Sequence, residues 1–314
     1  MKHVISYNLF ESESEPIRTV FTKEQLNWLD KCTENSWKYN PSTGLVDING
    51  DFYCSGQNLQ DFKGVRFGAV GGDFWCHNNQ LTTLVGAPRA VGGAFSCYRN
   101  QLTTLEGAPK TVKGDFRCYE NELTTLVGAP QSVGGDFNCS DNGLTTLKGA
   151  PQTVDRGFYC EDNQLTSLEG APQSVGGSFY CEDNQLTTLV GAPQSVGGSF
   201  WCHNNQLTSL VGAPQSVDSS FNCENNELTS LVGAPQSVGG RFDCYGNPVS
   251  ESTLKAIFAL MKKGKPYQQA LEEYWPKMAD EDRVLMYKQM TNLSPEDIRK
   301  YKALATYANI KDYL

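Results

Sequence analysis

Residues 74–91 read FWCHNNQLTTLVGAPRAV, and variants of this stretch follow one another along most of the chain. They share the pattern F-x-C-x-x-N-x-L-T-x-L-x-G-A-P-x-x-V and recur every 21 residues, after a first step of 22. So short and regular a period is typical of a solenoid, in which each unit buries its apolar side chains against its neighbours. The cysteines that mark the period are Cys54, Cys76, Cys97, Cys118, Cys139, Cys160, Cys181, Cys202, Cys223 and Cys244.

Each repeat predicts one short strand followed by an extended return. Phe74 and Cys76 alternate with Trp75, and this spacing indicates a strand with one buried face. The asparagine three residues after each cysteine, such as Asn79, is a residue type that satisfies backbone groups leaving a strand. Proline and paired glycines in most repeats argue against a helix. We therefore expect stacked parallel strands with a non-helical, extended or polyproline-like return.

The repeat resembles the leucine-rich repeat, whose L-x-L-x-x-N-x-L core is matched here by F-x-C-x-x-N-x-L. Its length and its L-x-G-A-P return are similar to the short bacterial class found in type III secreted effectors. The flanking segments FTKEQLNWLDKCT and GNPVSESTL resemble those of uncharacterised leucine-rich repeat proteins of large tailed bacteriophages. The resemblance implies the fold of residues 51–247 and a bacterial or phage origin. It implies no particular activity, because this fold serves many kinds of recognition.

The predicted fold class is a leucine-rich repeat solenoid, with a parallel β-sheet, a non-helical return side, a mixed N-terminal cap and an α-helical C-terminal cap. We divide the chain into a cap at 1–50, a solenoid of about ten repeats at 51–247 and a helical segment at 248–314. In the first cap, Thr22 and Gln25 predict a capping box for a helix over about 23–32, with Leu26 and Leu29 inward. A turn at Asn49 and Gly50 is expected to lead into the first strand.

The C-terminal segment contains several helix signals. Ser250 predicts the start of a helix that carries Leu254, Ile257, Phe258 and Met261 on one face. Further helices are predicted at 267–275, around 284–285 and after the sequence Ser-Pro-Glu at 294–296. Three or four helices could cover the end of the core or form a separate functional module, and the sequence leaves both alternatives open.

Charge and cysteine spacing narrow the choice of partners and location. The net charge is −9, and the repeat carries the acidic excess, which disfavours nucleic acid and favours a protein partner, preferably a basic one. Neighbouring parallel strands lie about 4.8 Å apart, farther than the roughly 3.8 Å between disulfide Cβ atoms, so the cysteines are predicted to be free, buried thiols. We expect no signal peptide and no membrane span, because long apolar stretches are absent. A reducing cytoplasm is the expected location, the host's if the protein is phage-encoded.

The sequence carries no recognisable catalytic or metal-binding pattern. His77 and His203 share one position six repeats apart, roughly 29 Å, which is too far to hold one metal ion. No C-x-x-C, H-E-x-x-H or phosphate-binding glycine loop is present. A cysteine-dependent ubiquitin ligase domain, which occurs behind some effector repeats, is excluded because no cysteine follows Cys244. We predict no enzymatic activity, no cofactor and no metal.

The predicted partner-binding surface is the concave face of the sheet. Two residues of each strand point outward, between Phe and Cys and directly after Cys, and many of them are aromatic or acidic. Exposed aromatic residues are enriched at the energetic centres of interfaces. The predicted partner-binding residues are Tyr53, Trp75, His77, Tyr98, Tyr119, Tyr159, Glu161, Tyr180, Glu182, Trp201, His203, Glu224 and Tyr245.

These residues predict a non-enzymatic repeat protein that binds a protein partner; its oligomeric state is left open. Duplication is an alternative origin of the aromatic residues, because FWCHNNQLT is identical at 74–82 and 200–208. The alternative function is a structural or glycan-binding component of a particle, since rows of aromatic rings can also stack on sugars.

Overall fold

The structure is a computed structural model that describes residues 20–34 and 36–291. Ten two-residue strands form a parallel sheet, which we call the F-x-C sheet because each strand begins at the phenylalanine of a repeat. Neighbouring strands pair in register, with Phe158 opposite Phe179 and Tyr159 opposite Tyr180. The strands are β3 (Phe52–Tyr53), β5 (Phe74–Trp75), β7 (Phe95–Ser96), β9 (Phe116–Arg117), β11 (Phe137–Asn138), β13 (Phe158–Tyr159), β15 (Phe179–Tyr180), β17 (Phe200–Trp201), β19 (Phe221–Asn222) and β21 (Phe242–Asp243).

The return side is extended and non-helical, as predicted, and it forms a second sheet that the sequence interpretation did not predict. The valine that closes each repeat pairs with the valine of the next, so that Val154 lies opposite Val175. All pairs in this second sheet are parallel except that of β1 with β2. Its strands are β1 (Trp37–Asn40), β2 (Leu45–Ile48), β4 (Phe67–Val70), β6 (Ala90–Val91), β8 (Thr111–Val112), β10 (Ser132–Val133), β12 (Thr153–Val154), β14 (Ser174–Val175), β16 (Ser195–Val196), β18 (Ser216–Val217) and β20 (Ser237–Val238).

The core lies between the two sheets and is built from the same side chains in each repeat. Phenylalanine, cysteine and both leucines are fully buried, as in Phe158, Cys160, Leu165 and Leu168. The phenylalanine rings stack from one repeat to the next with centroids between 4.8 and 5.6 Å apart, the separation that offset aromatic pairs prefer. The inward positions of Phe and Cys and the leucine-rich repeat solenoid are therefore confirmed.

An asparagine ladder joins the repeats where the chain leaves the F-x-C sheet. Asn163 accepts a hydrogen bond from the Leu144 amide of the preceding repeat at 2.9 Å. Its amide nitrogen donates to the carbonyls of Cys139 and Cys160 at 3.1 and 3.2 Å. The same contacts recur in neighbouring repeats, and they confirm that this position satisfies the turning backbone.

The N-terminal cap combines a helix with a hairpin. Helix α1 (Lys23–Thr33) begins with the predicted capping box, in which Thr22 and Gln25 satisfy each other's backbone amides. Leu29 is fully buried, and Trp28 packs edge-on against Phe52 of the first repeat, 5.3 Å between centroids. Strands β1 and β2 pair antiparallel and extend the return-side sheet, a hairpin that the sequence interpretation missed.

The C-terminal cap is helical, as predicted. Helix α2 (Glu251–Met261) is capped by Ser250, and Phe258 stacks on Phe242 of the last repeat at 3.9 Å. Helix α3 (Tyr267–Tyr274), a 3₁₀ turn (Trp275–Lys277) and helix α4 (Asp280–Thr291) follow. Buried Asp282 of α4 accepts hydrogen bonds from the Ser250 amide and hydroxyl at 3.0 and 2.6 Å, which ties α4 to the start of α2. The predicted helix after 294–296 lies outside the described residues.

Candidate functional site

The outward residues of the F-x-C sheet occupy two parallel columns, which together we call the F-x-C face. Because the strands pair in register, each column places residues of consecutive repeats side by side. The first column, between Phe and Cys, holds Tyr53, Trp75, Ser96, Arg117, Asn138, Tyr159, Tyr180, Trp201, Asn222 and Asp243. The second column, after Cys, holds Ser55, His77, Tyr98, Tyr119, Ser140, Glu161, Glu182, His203, Glu224 and Tyr245.

Five predicted site residues form an N-terminal cluster on this face. The Tyr53 ring meets Trp75 edge-on at 4.8 Å. His77 stacks on Tyr98 at 4.3 Å, and Tyr98 stacks on Tyr119 at 4.4 Å, with both pairs of rings within 8° of parallel. The rings therefore form two short rows, one in each column, which together span the first four repeats.

Basic side chains adjoin the N-terminal cluster. Arg99 forms an ion pair with Glu120 at 2.7 Å, and Arg117 pairs with Asp115. Burial lowers the pKa of His77, and the positive charges of Arg117 and Arg99 lower it further. The His77 Nδ1 lies 3.0 Å from the Ser55 hydroxyl. His77 is therefore held as a neutral ring near pH 7, suited to hydrogen bonding and stacking.

Two small polar residues interrupt the aromatic row in the middle of the face. Asn138 accepts hydrogen bonds from both the amide and the hydroxyl of Ser140, each at 2.9 Å. Ser140 is buried, and no ring stands in either column of this repeat. The predicted residues are thus divided into two clusters instead of forming a single surface.

The C-terminal cluster combines aromatic and acidic residues. Tyr159 and Tyr180 are tilted at 5.2 Å, and Tyr180 stacks on Trp201 at 4.2 Å with an angle of 9°. Glu161 and Glu182 occupy the neighbouring column, in the same repeats as Tyr159 and Tyr180. We define this cluster as Tyr159, Glu161, Tyr180, Glu182, Trp201 and His203.

The two glutamates are less exposed than their outward positions predicted. Glu182 is only 9% exposed. Burial raises the pKa of Glu161 to about 7 and that of Glu182 to about 8, and neighbouring acidic groups add to both shifts. These two carboxyl groups are therefore partly enclosed by the face instead of standing free in solvent.

The F-x-C face concentrates polar atoms that lack a partner. Among the described residues, five buried side-chain nitrogen or oxygen atoms make no hydrogen bond. Four of them are on this face, namely Trp75 Nε1, Glu161 Oε2, Glu182 Oε2 and His203 Nδ1. Buried polar groups are normally hydrogen-bonded. The concentration of unpartnered polar atoms therefore indicates that this face has unused hydrogen-bonding capacity.

Two of the predicted site residues belong to neither cluster. The Glu224 carboxylate accepts a long hydrogen bond from Asn222 at 3.4 Å, within its own repeat. Tyr245 stands at the last repeat with 64% of its surface exposed.

Sequence reasoning missed the role of a third column, in which acidic or hydroxyl residues stand directly before most of the phenylalanines. Asp115 accepts a hydrogen bond from the Asp136 amide of the next repeat at 2.8 Å, and Asp136 accepts from the Gly157 amide at 2.8 Å. Ser178 and Ser199 make the corresponding contacts farther along. The recurrence of Asp or Ser at this position was the available signal. These residues stabilise the edge of the site and leave its face to the two clusters.

The described residues offer no evidence for a metal site or a membrane span. No group of three histidine, cysteine, aspartate or glutamate side chains within them is arranged to hold a metal ion. No helix in 20–34 or 36–291 is both long and apolar enough to cross a bilayer.

The sequence matches no protein-family model and no curated protein. Among solved structures, the chain is similar to YopM, a leucine-rich effector protein from Yersinia pestis, with 16% identity over 77% of each chain and a TM-score of 0.45. It is also similar to YopM from Yersinia enterocolitica WA-314, with 17% identity over 77% of this chain and 64% of that chain, and a TM-score of 0.28. The class that the stacked parallel strands and the F-x-C-x-x-N-x-L repeat define is the leucine-rich repeat solenoid.

Proposed function

We propose that the chain is a non-enzymatic recognition protein that binds a protein partner through the F-x-C face. This face corresponds to the concave face that the leucine-rich repeat resemblance implies. The observation that carries this proposal is the coincidence of two aromatic clusters with four unpartnered buried polar atoms on one face. Aromatic side chains supply large contact areas at low entropic cost, and a partner can satisfy the polar atoms.

The thirteen residues predicted from the sequence are proposed as the contact surface, with the two clusters at its centre. A protein partner with basic groups is favoured, because the repeat is acidic and Glu161 and Glu182 carry no counter-charge. The proposed setting is the bacterial cytoplasm, and the flanking segments' resemblance supports a phage origin.

The glycan-binding alternative has less support from ring geometry. Sugars stack on a free aromatic face, whereas the facing surfaces of Tyr180 and Trp201 are occupied by each other. The same is true of Tyr98, which is stacked between His77 and Tyr119.

Capture from a bacterial lysate with matched baits tests this function. The baits are the parent chain, Tyr98→Ala in the N-terminal cluster, Trp201→Ala in the C-terminal cluster, and Gln194→Ala, an exposed position on the return side. We expect a protein that the parent and Gln194→Ala both retain and that either cluster variant loses. Equal retention by all four folded baits would contradict the proposal, as would retention of glycan in place of protein.

A further inference from the structure

Glu161 and Glu182 lie in one column of adjacent repeats, whose strands β13 and β15 pair in register. Their backbones are therefore about one strand spacing, roughly 4.8 Å, apart. Each carboxyl group has one buried oxygen without a hydrogen-bond partner. His203 follows in the next repeat, and its Nδ1 is also buried and unpartnered.

The charges around this pair are all of one sign. The groups that act on Glu161 are Asp162, Asp141 and Asp183, and those that act on Glu182 are Glu161, Asp183 and Asp162. Neither glutamate forms an ion pair within the described part of the chain. Burying a charged group without a counter-charge is costly, so this site is poised to accept a cation.

The geometry favours an organic cation over a metal ion. The described residues hold no arrangement of acidic and histidine side chains that could bind a metal. The Tyr180–Trp201 stack borders the carboxyl groups in the adjacent column, and aromatic rings attract organic cations. A guanidinium group has several donors in one plane and can serve two carboxyl groups at once, whereas an ammonium is a compact point charge.

We propose that Glu161 and Glu182, bordered by the Tyr180–Trp201 stack, form a binding site for the guanidinium group of an arginine side chain on the protein partner. This inference rests on the proposed function and specifies the chemistry that its C-terminal cluster recognises. The negative charge of the site favours a basic partner. The N-terminal cluster, whose own side chains are neutral, contributes contact area.

Binding at this site is linked to a proton. With a pKa of about 8, the Glu182 carboxyl group holds a proton over much of the neutral range in the free protein. Around it are Glu161 from the preceding repeat, Asp162 and Asp183 from the neighbouring column, His203 from the following repeat, and the buried thiols of Cys160, Cys181 and Cys202. An arginine favours the ionised form and displaces the proton, so affinity should rise between about pH 6 and pH 8.5.

The test uses the full chain and N-acetylarginine methylamide as the probe, at about pH 8. Carbon-13 NMR of the glutamate carboxyl groups, assigned with Glu161→Gln and Glu182→Gln, reports binding at the two residues. The neutral and nearly isosteric N-acetylcitrulline methylamide is the control for shape, and the lysine analogue tests the preference for guanidinium. Glu106→Gln, an exposed acid outside the F-x-C face, is the matched protein control.

We expect a saturable shift of the Glu161 and Glu182 signals with the arginine analogue, weaker binding of the lysine analogue and none of the citrulline analogue. Glu182→Gln should weaken binding about tenfold or more, while Glu106→Gln leaves it unchanged. Equal binding of the citrulline analogue, no saturable shift with arginine, or full binding by Glu182→Gln would overturn the inference.

The lysate capture separates this inference from the proposed function. A partner that is lost with Trp201→Ala but bound equally by Glu182→Gln would leave the function standing and contradict the arginine site. A partner that binds Tyr98→Ala and Trp201→Ala as well as it binds the parent would contradict the proposed function itself, whatever the NMR titration shows.

Discussion

Asparagine can donate and accept hydrogen bonds with one side chain, and the solenoid uses both capacities in every repeat. Asn163 is 8% exposed and serves the backbone of two repeats at once. Aspartate would lose the donor function at this position, and leucine would lose both. The side chain is therefore a structural cross-link between repeats.

Replacing Asn163 by alanine should lower the free energy of unfolding by about 1–3 kcal/mol, because the Leu144 amide and the cysteine carbonyls lose a buried partner. Urea denaturation measures this change. Gln164→Ala, at the exposed neighbouring position, is the control. Equal unfolding midpoints for the two variants would refute the role of the asparagine ladder.

Glu182 should make stability depend on pH. Its pKa of about 8 in the folded chain lies above the ordinary value of 4.5, so the folded state binds a proton that the unfolded state has released. The Glu182 carboxyl group contributes its full stabilisation below about pH 4.5, and this contribution is lost as the pH rises through about 8. The non-ionisable Glu182→Gln should therefore gain about 4 kcal/mol relative to the parent between pH 5 and pH 8.5.

Denaturation curves of both proteins across this pH range give the measurement. Other titrating groups are common to the two chains and largely cancel in the difference. Glu106→Gln should run parallel to the parent, since its side chain is exposed. A parent and a Glu182→Gln variant with parallel stability profiles would show that the Glu182 carboxyl group is not buried as described.

At the scale of the element, two-residue strands are too short to be held by their ladder hydrogen bonds alone. The cysteine column adds a bond, since the thiol of Cys160 donates to the Tyr180 carbonyl of the next repeat at 3.3 Å and that of Cys181 to the Trp201 carbonyl at 3.2 Å. Cysteine thus fills a small apolar space and also supplies a weak donor, which an alanine cannot do.

The eleven cysteines are predicted to be free thiols that react slowly in the native state. The described cysteines are buried, and burial raises the pKa of the Cys76 and Cys160 thiols well above the ordinary value. Titration of denatured, unreduced protein should find nearly all eleven thiols, and the native protein should react much more slowly. Several disulfides after cytoplasmic expression would contradict this prediction.

The L-x-G turn sets how closely adjacent repeats can approach. Gly128 has a φ of 102°, and a Cβ atom there would stand 2.4 Å from the carbonyl group of Leu105 in the preceding repeat. Gly128→Ala should therefore destabilise the chain by about 1–3 kcal/mol in urea denaturation. Gly143→Ala is the control, because its Cβ would meet only the Leu123 carbonyl oxygen at 3.6 Å. Similar losses for both variants would show that close packing at this turn is not limiting.

At the scale of the whole molecule, the part of the fold that repeats was predictable and the part that occurs once was harder. Period and alternation predicted the F-x-C sheet, its buried columns and the asparagine ladder. The return-side sheet was missed because each of its short strands, such as Thr153–Val154, has only one buried apolar residue, so no alternation marks it. The β1–β2 hairpin was missed because it occurs once and no period marks it.

The candidate site was predictable as a set of residues but not as an arrangement. Outward positions followed from alternation, whereas the burial of Glu182 did not follow from its outward position. The division into two clusters can be read from the columns, because neither Asn138 nor Ser140 carries a ring, but the hydrogen bond between these two residues could not be predicted. The residues that lie in each column were therefore predictable. Their burial and pKa values depend on packing, which was not.

The affinity of a captured partner for three variants tests the central claim most directly. Tyr180→Ala and Trp201→Ala remove the stacked pair of the C-terminal cluster, and Gln194→Ala changes an exposed residue on the return side. Calorimetric titration should show binding weakened by about 2 kcal/mol or more for each aromatic variant and unchanged for Gln194→Ala. Equal affinities for all three folded variants would contradict recognition through the F-x-C face.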